Sequence, residues 1–221
     1  MDKQEKNQEQ FELQEELLDT ELEDTADGEE EEEQDETIVN SVYDWARSLV
    51  SAVVGVVLLF TFVLRLIGVS GSSMENTFYT GDRVVILNSV FCDYQPGDVV
   101  VADAYNAVLN ETIVKRIIAT GGQTVDIDFY RGIVYVDGVA LDEPYVKEPT
   151  YTNGGLQYPI TLAEDEVFLM GDNRNASTDS RSYMLGPVKE GYLQGKVVFL
   201  LFPGKTSGIE KRELSRIGFV D

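Results

Sequence analysis

Histidine is absent from this 221-residue chain, and cysteine and tryptophan occur once each. The missing histidine removes Ser-His-Asp triads, Cys-His proteases and His-ligated zinc hydrolases, so a hydrolase built on this sequence must take Lys, Asp or Glu as its base. One cysteine, Cys92, rules out an intrachain disulfide and a thiolate metal cluster. In Val90-Phe91-Cys92 it reads as a small buried hydrophobe rather than a nucleophile. Neither a metal nor a cofactor is expected. Basic residues are also scarce, 17 against 40 acidic ones, for a formal net charge of −23. With no basic stripe to neutralise phosphates, nucleic acid is not an expected partner.

What is present is strongly segregated. Residues 1–38 hold 18 acidic and two basic residues, so −16 of the −23 lies there and only −7 elsewhere. Such a segment repels itself and buries little apolar surface, so residues 1–44 are expected to form a solvated, largely disordered tail. Phe11, Leu17, Leu18 and Leu22 allow a second reading, a weak amphipathic docking helix. Leu49 to Leu64 then carries no charge; Arg65 interrupts, and Leu66 to Val69 extends the run. Ser48 to Val69 spans about 33 Å as helix, which matches a bilayer core. Arg65 can snorkel to one interface, and Trp45 suits the other. A cleaved signal peptide fits poorly, because a long acidic stretch precedes the run. Residues 45–69 are therefore expected to be a single transmembrane anchor. Arg47 and Arg65 flank it almost symmetrically, so loop charge alone does not orient it.

Beyond Ser70 the texture changes to short β-branched runs separated by Gly, Asp and Pro. Strands are expected at Arg83 to Leu87, Asp98 to Ala102, Ile113 to Ile118, Val125 to Phe129, Glu166 to Met170 and Lys196 to Phe202. Ile133 to Val136 and Val139 to Leu141 flank Asp137-Gly138, the signature of a type I′ hairpin. Tyr145 to Pro159 reads as a loop. The expected fold class is mainly β: one transmembrane helix followed by an all-β barrel or sandwich-like domain over 70–221.

Three segments stand out from this background. Ser70-Gly71-Ser72-Ser73-Met74 is either a flexible linker or a turn presenting a hydroxyl. Ser73 follows Ile67 by six residues, so even extended chain holds it within about 20 Å of the anchor's end. In the second segment, Lys115 shares a strand face with Ile113 and Ile117. A lysine on an apolar face is desolvated, which disfavours its ammonium and prepares it as a base; the alternative is an edge lysine with its head in water. Lys196, beside Val198 and Leu200, competes by the same pattern. The third, Gly171 to Arg181, is dense in polar groups and reads as a satisfied surface loop or a site loop, with Asp179 and Arg181 placed to pair across a turn.

Taken in order, these segments resemble bacterial type I signal peptidases of the Gram-positive kind with one anchor. The family's box Ser-Met-x-Pro-Thr is matched by Ser73-Met74-Glu75-Asn76-Thr77. Gly81 to Val85 and Gly97 to Val101 match the next boxes, Lys115-Arg116-Ile117-Ile118 the lysine box, and Gly171-Asp172-Asn173-Arg174 through Ser177, Asp179, Ser180 and Arg181 the last. The likeness spans roughly residues 45–202. It implies Ser73 as nucleophile, Lys115 as general base, Ser177 as a hydroxyl holding the lysine amine, and Asp179 and Arg181 as braces, with the Ser73 backbone N–H as an oxyanion donor. Asn76 departs from the family's proline, and Gly71 stands where some relatives carry a hydroxyl that completes the oxyanion hole.

By this resemblance the chain is a membrane-bound serine endopeptidase that removes signal peptides from exported preproteins, reading small residues before the cut. Its N-terminus would be cytoplasmic and its β domain outside the plasma membrane. Preproteins and the lipid bilayer are the implied partners; the tail's charge adds a basic partner such as the translocation machinery. Two alternatives remain at this point. One is a catalytically impaired, membrane-tethered scaffold on the same fold; the other is a self-cleaving repressor-type Ser/Lys peptidase, which the apolar run and acidic tail disfavour.

Overall fold

The computed structural model describes residues 41–105, 110–205 and 212–220. Residues 1–40 of the expected tail, with the docking-helix reading of Phe11 to Leu22, lie outside the described residues, whereas its last four residues, 41–44, are helical. The chain divides into two compact units, residues 1–57 and 58–221.

The apolar run forms a helix, α1, over Ser41–Val63, and none of its residues is buried. It ends six residues earlier than the expected anchor. The helix widens in its last turn, Leu59–Val63, where the Leu64 N–H donates to the Leu59 carbonyl five residues back. Leu64–Gly68 is then strand β1, paired antiparallel with β2 over Arg83–Asn88. The physical reason is competition for backbone hydrogen bonds. A neighbouring strand satisfies these amides as well as another helical turn would, and extension lets Ile67 and Val69 pack on the sheet's core. Length and hydropathy cannot see that partner.

The remaining strands are β3 (Val99–Tyr105), β4 (Asn110–Ala119), β5 (Thr124–Asp128), β6 (Ile133–Val136), β7 (Val139–Ala140), β8 (Ile160–Thr161), β9 (Glu166–Met170), β10 (Val188–Lys189), β11 (Leu193–Phe202) and β12 (Gly218–Phe219). One sheet runs β1-β2-β11-β3-β4-β9-β10, with β12 on β11; a second runs β7-β6-β5-β8. The architecture is sandwich-like, with no closed barrel among the described residues. Asp137 (φ 51°) and Gly138 (φ 80°) make the β6–β7 turn left-handed at both positions, as type I′ requires.

The apolar runs explain the layering. In β3, Val99 and Val101 enter one cluster with Val69, Met74, Phe78 and Val84, while Val100 and Ala102 enter another with Ile113, Ile117 and Leu169. A central strand covered on both faces has no polar side, so its sequence is a continuous apolar run rather than an alternation. In β9, Val167 and Leu169 join the second cluster, while Phe168 and Met170 join a third beneath the small sheet with Val125, Ile127 and Val134. Cys92 is half-buried rather than buried; its thiol donates to the Leu87 and Asn88 carbonyls at 3.4 and 3.3 Å.

Candidate active site

Ser73 rides on the loop between β1 and β2. Val69, Met74 and Phe78 of this loop sink into the core, and the Phe78 N–H closes a turn on the Met74 carbonyl at 2.8 Å. Ser73 is left half-buried at the apex of a segment anchored on both sides. Asn173 holds that apex from beneath: its backbone N–H donates to the Ser73 carbonyl and its side-chain amide to the Ser72 carbonyl, each at 3.0 Å.

Lys115 reaches the same point from β4, which is paired with β3 so that Lys115 faces Val100. Its side chain lies among buried neighbours and is only 4% exposed. Nζ donates to Ser73 Oγ at 2.8 Å and to the Val114 carbonyl at 3.2 Å. Burial holds the amine below its ordinary lysine range; Asp179, Glu111 and Asp172 oppose that shift, and Arg181 adds to it. Desolvation wins because, among the described residues, no carboxylate is in direct contact with the ammonium. Lys196, the competing candidate, is one-third exposed and paired with Asp98 at 2.5 Å, so it is solvated and neutralised elsewhere. Lys196→Ala is expected to leave peptidase activity within about twofold of wild type, because it removes a partly exposed ion pair that does not touch Ser73. A steady-state assay checks this; a loss near that of Lys115→Ala would reverse the choice of lysine.

The loop from Gly171 to Arg181 packs beneath both groups. Asp179 and Arg181, both buried, pair bidentately at 2.8 Å from Nε and Nη2. Asp179 also accepts the Gly171 N–H at 3.0 Å, while Arg181 donates to the Thr152 and Arg174 carbonyls. Ser177 does not make the expected hydrogen bond to the lysine. Its hydroxyl is buried without a partner, and the amine is instead satisfied by Ser73 and the Val114 carbonyl. Ser177 nevertheless lies against the site: a Cβ on Gly171 would sit 2.3 Å from Ser177 Oγ and 2.5 Å from the Ser73 carbonyl. Only glycine fits between them. Gly71 adopts φ +95°, so although its flank is open, a serine there would be strained.

Several supporting residues lie inside the sequence boxes without having been assigned a role. Asp172, fully buried, takes both Nε and Nη2 of Arg116 at 3.0 and 2.9 Å and accepts the Thr77 hydroxyl. Arg116 also donates to the Gly97 carbonyl and stacks over Tyr145 at 4.0 Å. Asp172 thus ties the strand of Lys115 to the turn of Ser73. Arg174 pairs with Glu143 and donates to the Thr150 hydroxyl. Lys147 pairs with Glu75 at 2.9 Å, beside the nucleophile's turn. Glu143 and Lys147 fall in the stretch between the boxes, and no local pattern marks them.

A cleft of about 390 Å³ opens onto Ser73 and Lys115, walled by Ile67 to Met74 on one side and by Glu111 to Val114 of β4 on the other. Its lining is mixed, with Ser70, Ser72 and Thr112 beside Ile67, Val69 and Ile113, so it offers both hydrogen-bonding groups and apolar contact to an extended segment.

Comparison with known proteins gives the family. Residues 42–202 match the family described as signal peptidase, peptidase S26. Signal peptidase I of Bacillus amyloliquefaciens is 34% identical over 173 residues, covering 74% of this chain and 90% of that protein. A probable signal peptidase I-1 of Synechocystis sp. is 34% identical over 170 residues, covering 72% and 82%. A solved signal peptidase I from Enterococcus faecalis aligns over 48% of this chain and 97% of that chain, at 26% identity and a TM-score of 0.39. The family match and the two sequence relatives show the protein to be a serine peptidase. It belongs to the signal peptidase family, peptidase S26.

Proposed function

We propose that this protein removes N-terminal signal peptides from exported preproteins, with Ser73 as nucleophile and Lys115 as general base. The observation that carries the reading is the 2.8 Å contact between Lys115 Nζ and Ser73 Oγ, made by a lysine that burial biases toward its neutral form. A neutral amine within hydrogen-bond reach takes the hydroxyl proton as Oγ attacks the scissile carbonyl. The Ser73 N–H stabilises the oxyanion, and the protonated lysine returns its proton to the leaving amine. Water, deprotonated by the same lysine, then releases the acyl group. Asp179 and Arg181, paired with each other and tied to Gly171, hold the lysine's surroundings in place.

The substrate enters as an extended strand between the two cleft walls, its backbone read by strand pairing and alternate side chains by the cleft floor. The helix Ser41–Val63 is a single membrane anchor: its 23 residues are long and apolar enough to cross a bilayer, and none of them is buried among the described residues. By likeness to the family, the residues preceding the helix face the cytoplasm and residues 70–221 the outside, so the cleft lies where preproteins emerge. The acidic tail offers a contact for a basic partner such as the translocation machinery.

Incubating the purified full chain with a preprotein tests the reading. A single cut that releases the signal peptide is expected, and kcat/KM should rise with pH along a limb lying below the ordinary lysine value near 10.4. An uncut preprotein would remove the proposed activity and leave the scaffold alternative standing. A limb at the ordinary value would remove the buried base.

A further inference from the structure

The segment 212–220 lies beyond the residues that match the family, yet it is bound closely to the nucleophile's loop. Its 3-10 turn, Leu214–Arg216, aims Arg216 at Asp82, which is fully buried where that loop ends and β2 begins. Arg216 Nη2 donates to Asp82 Oδ2 at 2.6 Å and to the Thr77 carbonyl at 3.0 Å, and Nη1 donates to Asp82 Oδ1 at 3.2 Å. The guanidinium lies over the Tyr79 ring at 4.6 Å. Asp82 accepts the Tyr79 and Gly204 N–H groups as well. Behind the turn, β12 pairs with β11, Phe219 meets Phe199 edge to face, and Val220 packs on the core that receives Met74 and Phe78.

The consequence is that Thr77, four residues from Ser73, is gripped from two directions. Its carbonyl is held by Arg216 and its hydroxyl donates to Asp172, the same carboxylate that holds Arg116 beside Lys115. The other end of the loop is tied by the Val69 N–H to the Asp82 carbonyl at 2.8 Å and by the Gly81 N–H to the Val69 carbonyl at 2.9 Å. A planar guanidinium that pairs bidentately with a buried carboxylate fixes direction as well as distance, which an ammonium does not. We infer that Arg216 is a positioning residue for the reaction and that residues 212–220 are a strap holding the Ser73 loop in register with Lys115. This rests on the proposed Ser73 and Lys115 roles for its catalytic meaning, but not for the strap itself.

Two measurements on the full chain in detergent micelles separate those parts. Amide hydrogen exchange in Arg216→Gln should quicken at least tenfold at Phe78, Tyr79 and Gly81, with the β5–β6 hairpin unchanged. On a preprotein, kcat should fall roughly 10- to 100-fold with KM within about twofold, because a nucleophile displaced by about an ångström loses rate rather than binding. Arg216→Lys should recover part of kcat. Unchanged loop protection, an equal acceleration in the hairpin, or a raised KM with kcat intact would each overturn the inference. If wild type leaves the preprotein uncut while Arg216→Gln still loosens the loop, the proposed function fails and the strap stands.

Discussion

Lys115→Met should lower kcat on a preprotein by roughly four to six orders of magnitude and raise the melting temperature at neutral pH. The loss follows from removing the only base within reach of Ser73 Oγ among the described groups. General-base assistance alone contributes roughly 10²- to 10⁴-fold, and members of a nucleophile–base unit fail together when one is removed. The gain in stability follows from burial. Desolvating an ammonium costs several kcal/mol, whereas the two hydrogen bonds that Lys115 makes, to Ser73 and Val114, contribute about 1 kcal/mol each.

The pH dependence has a definite sign. Lys115 titrates lower in the folded chain than in the unfolded one. Between those two values the unfolded state binds the proton and the folded state does not, so the stability of wild type rises with pH through that window. Above about pH 10.4 both states are neutral and the burden vanishes. The melting advantage of Lys115→Met should therefore shrink as pH climbs from 7 toward 10, while Ser73→Ala, equally inactive, should keep the wild-type slope. Calorimetry across that range checks both, and a constant offset would mean that the lysine is not titrating within the fold.

Asp172→Ala should destabilise the β domain by about 3–5 kcal/mol, because it leaves the Arg116 guanidinium, 3% exposed, without its carboxylate. For a domain of this size that is a drop of roughly 6–20 °C in melting temperature. Activity should fall even at a temperature where the variant remains folded, since Asp172 also anchors Thr77 and so connects the loop of Ser73 to the strand of Lys115. Asp172→Asn, which keeps the shape and an acceptor but loses the charge, should fall between the two. A melting temperature for Asp172→Ala within about 2 °C of wild type would show that Arg116 finds adequate partners in the Gly97 carbonyl and the Tyr145 ring.

Most of the strands were legible because local periodicity and turn residues report which faces are covered. Glu166 to Met170 was read with both ends in place, and Asp137-Gly138 announced its hairpin because few residue pairs tolerate two successive left-handed conformations. The boxes named Ser73 and Lys115, and the missing histidine made a lysine base the natural choice. Lys115 and Lys196 could not be separated by pattern, since both alternate with apolar residues on a strand. Their difference lies in neighbours: Asp98 and solvent for one, Ser73 and a buried position for the other. The end of the helix was likewise set by β2, a segment some twenty residues further on.

Composition, spacing and motif order thus determined by themselves the mainly β class, the apolar helix and the family. Tertiary structure alone decided that Lys115 is the desolvated lysine, that Ser177 leaves its hydroxyl unpaired, and that Asp172, Glu143 and Arg216 hold the site. The reason is separation along the chain. Arg116 and Asp172 are 56 residues apart, Arg174 and Glu143 31, and Arg216 and Asp82 134. Periodicity encodes what a residue does within its own strand, but a buried charge finds its partner only when the order β2-β11-β3-β4-β9 has brought distant segments side by side.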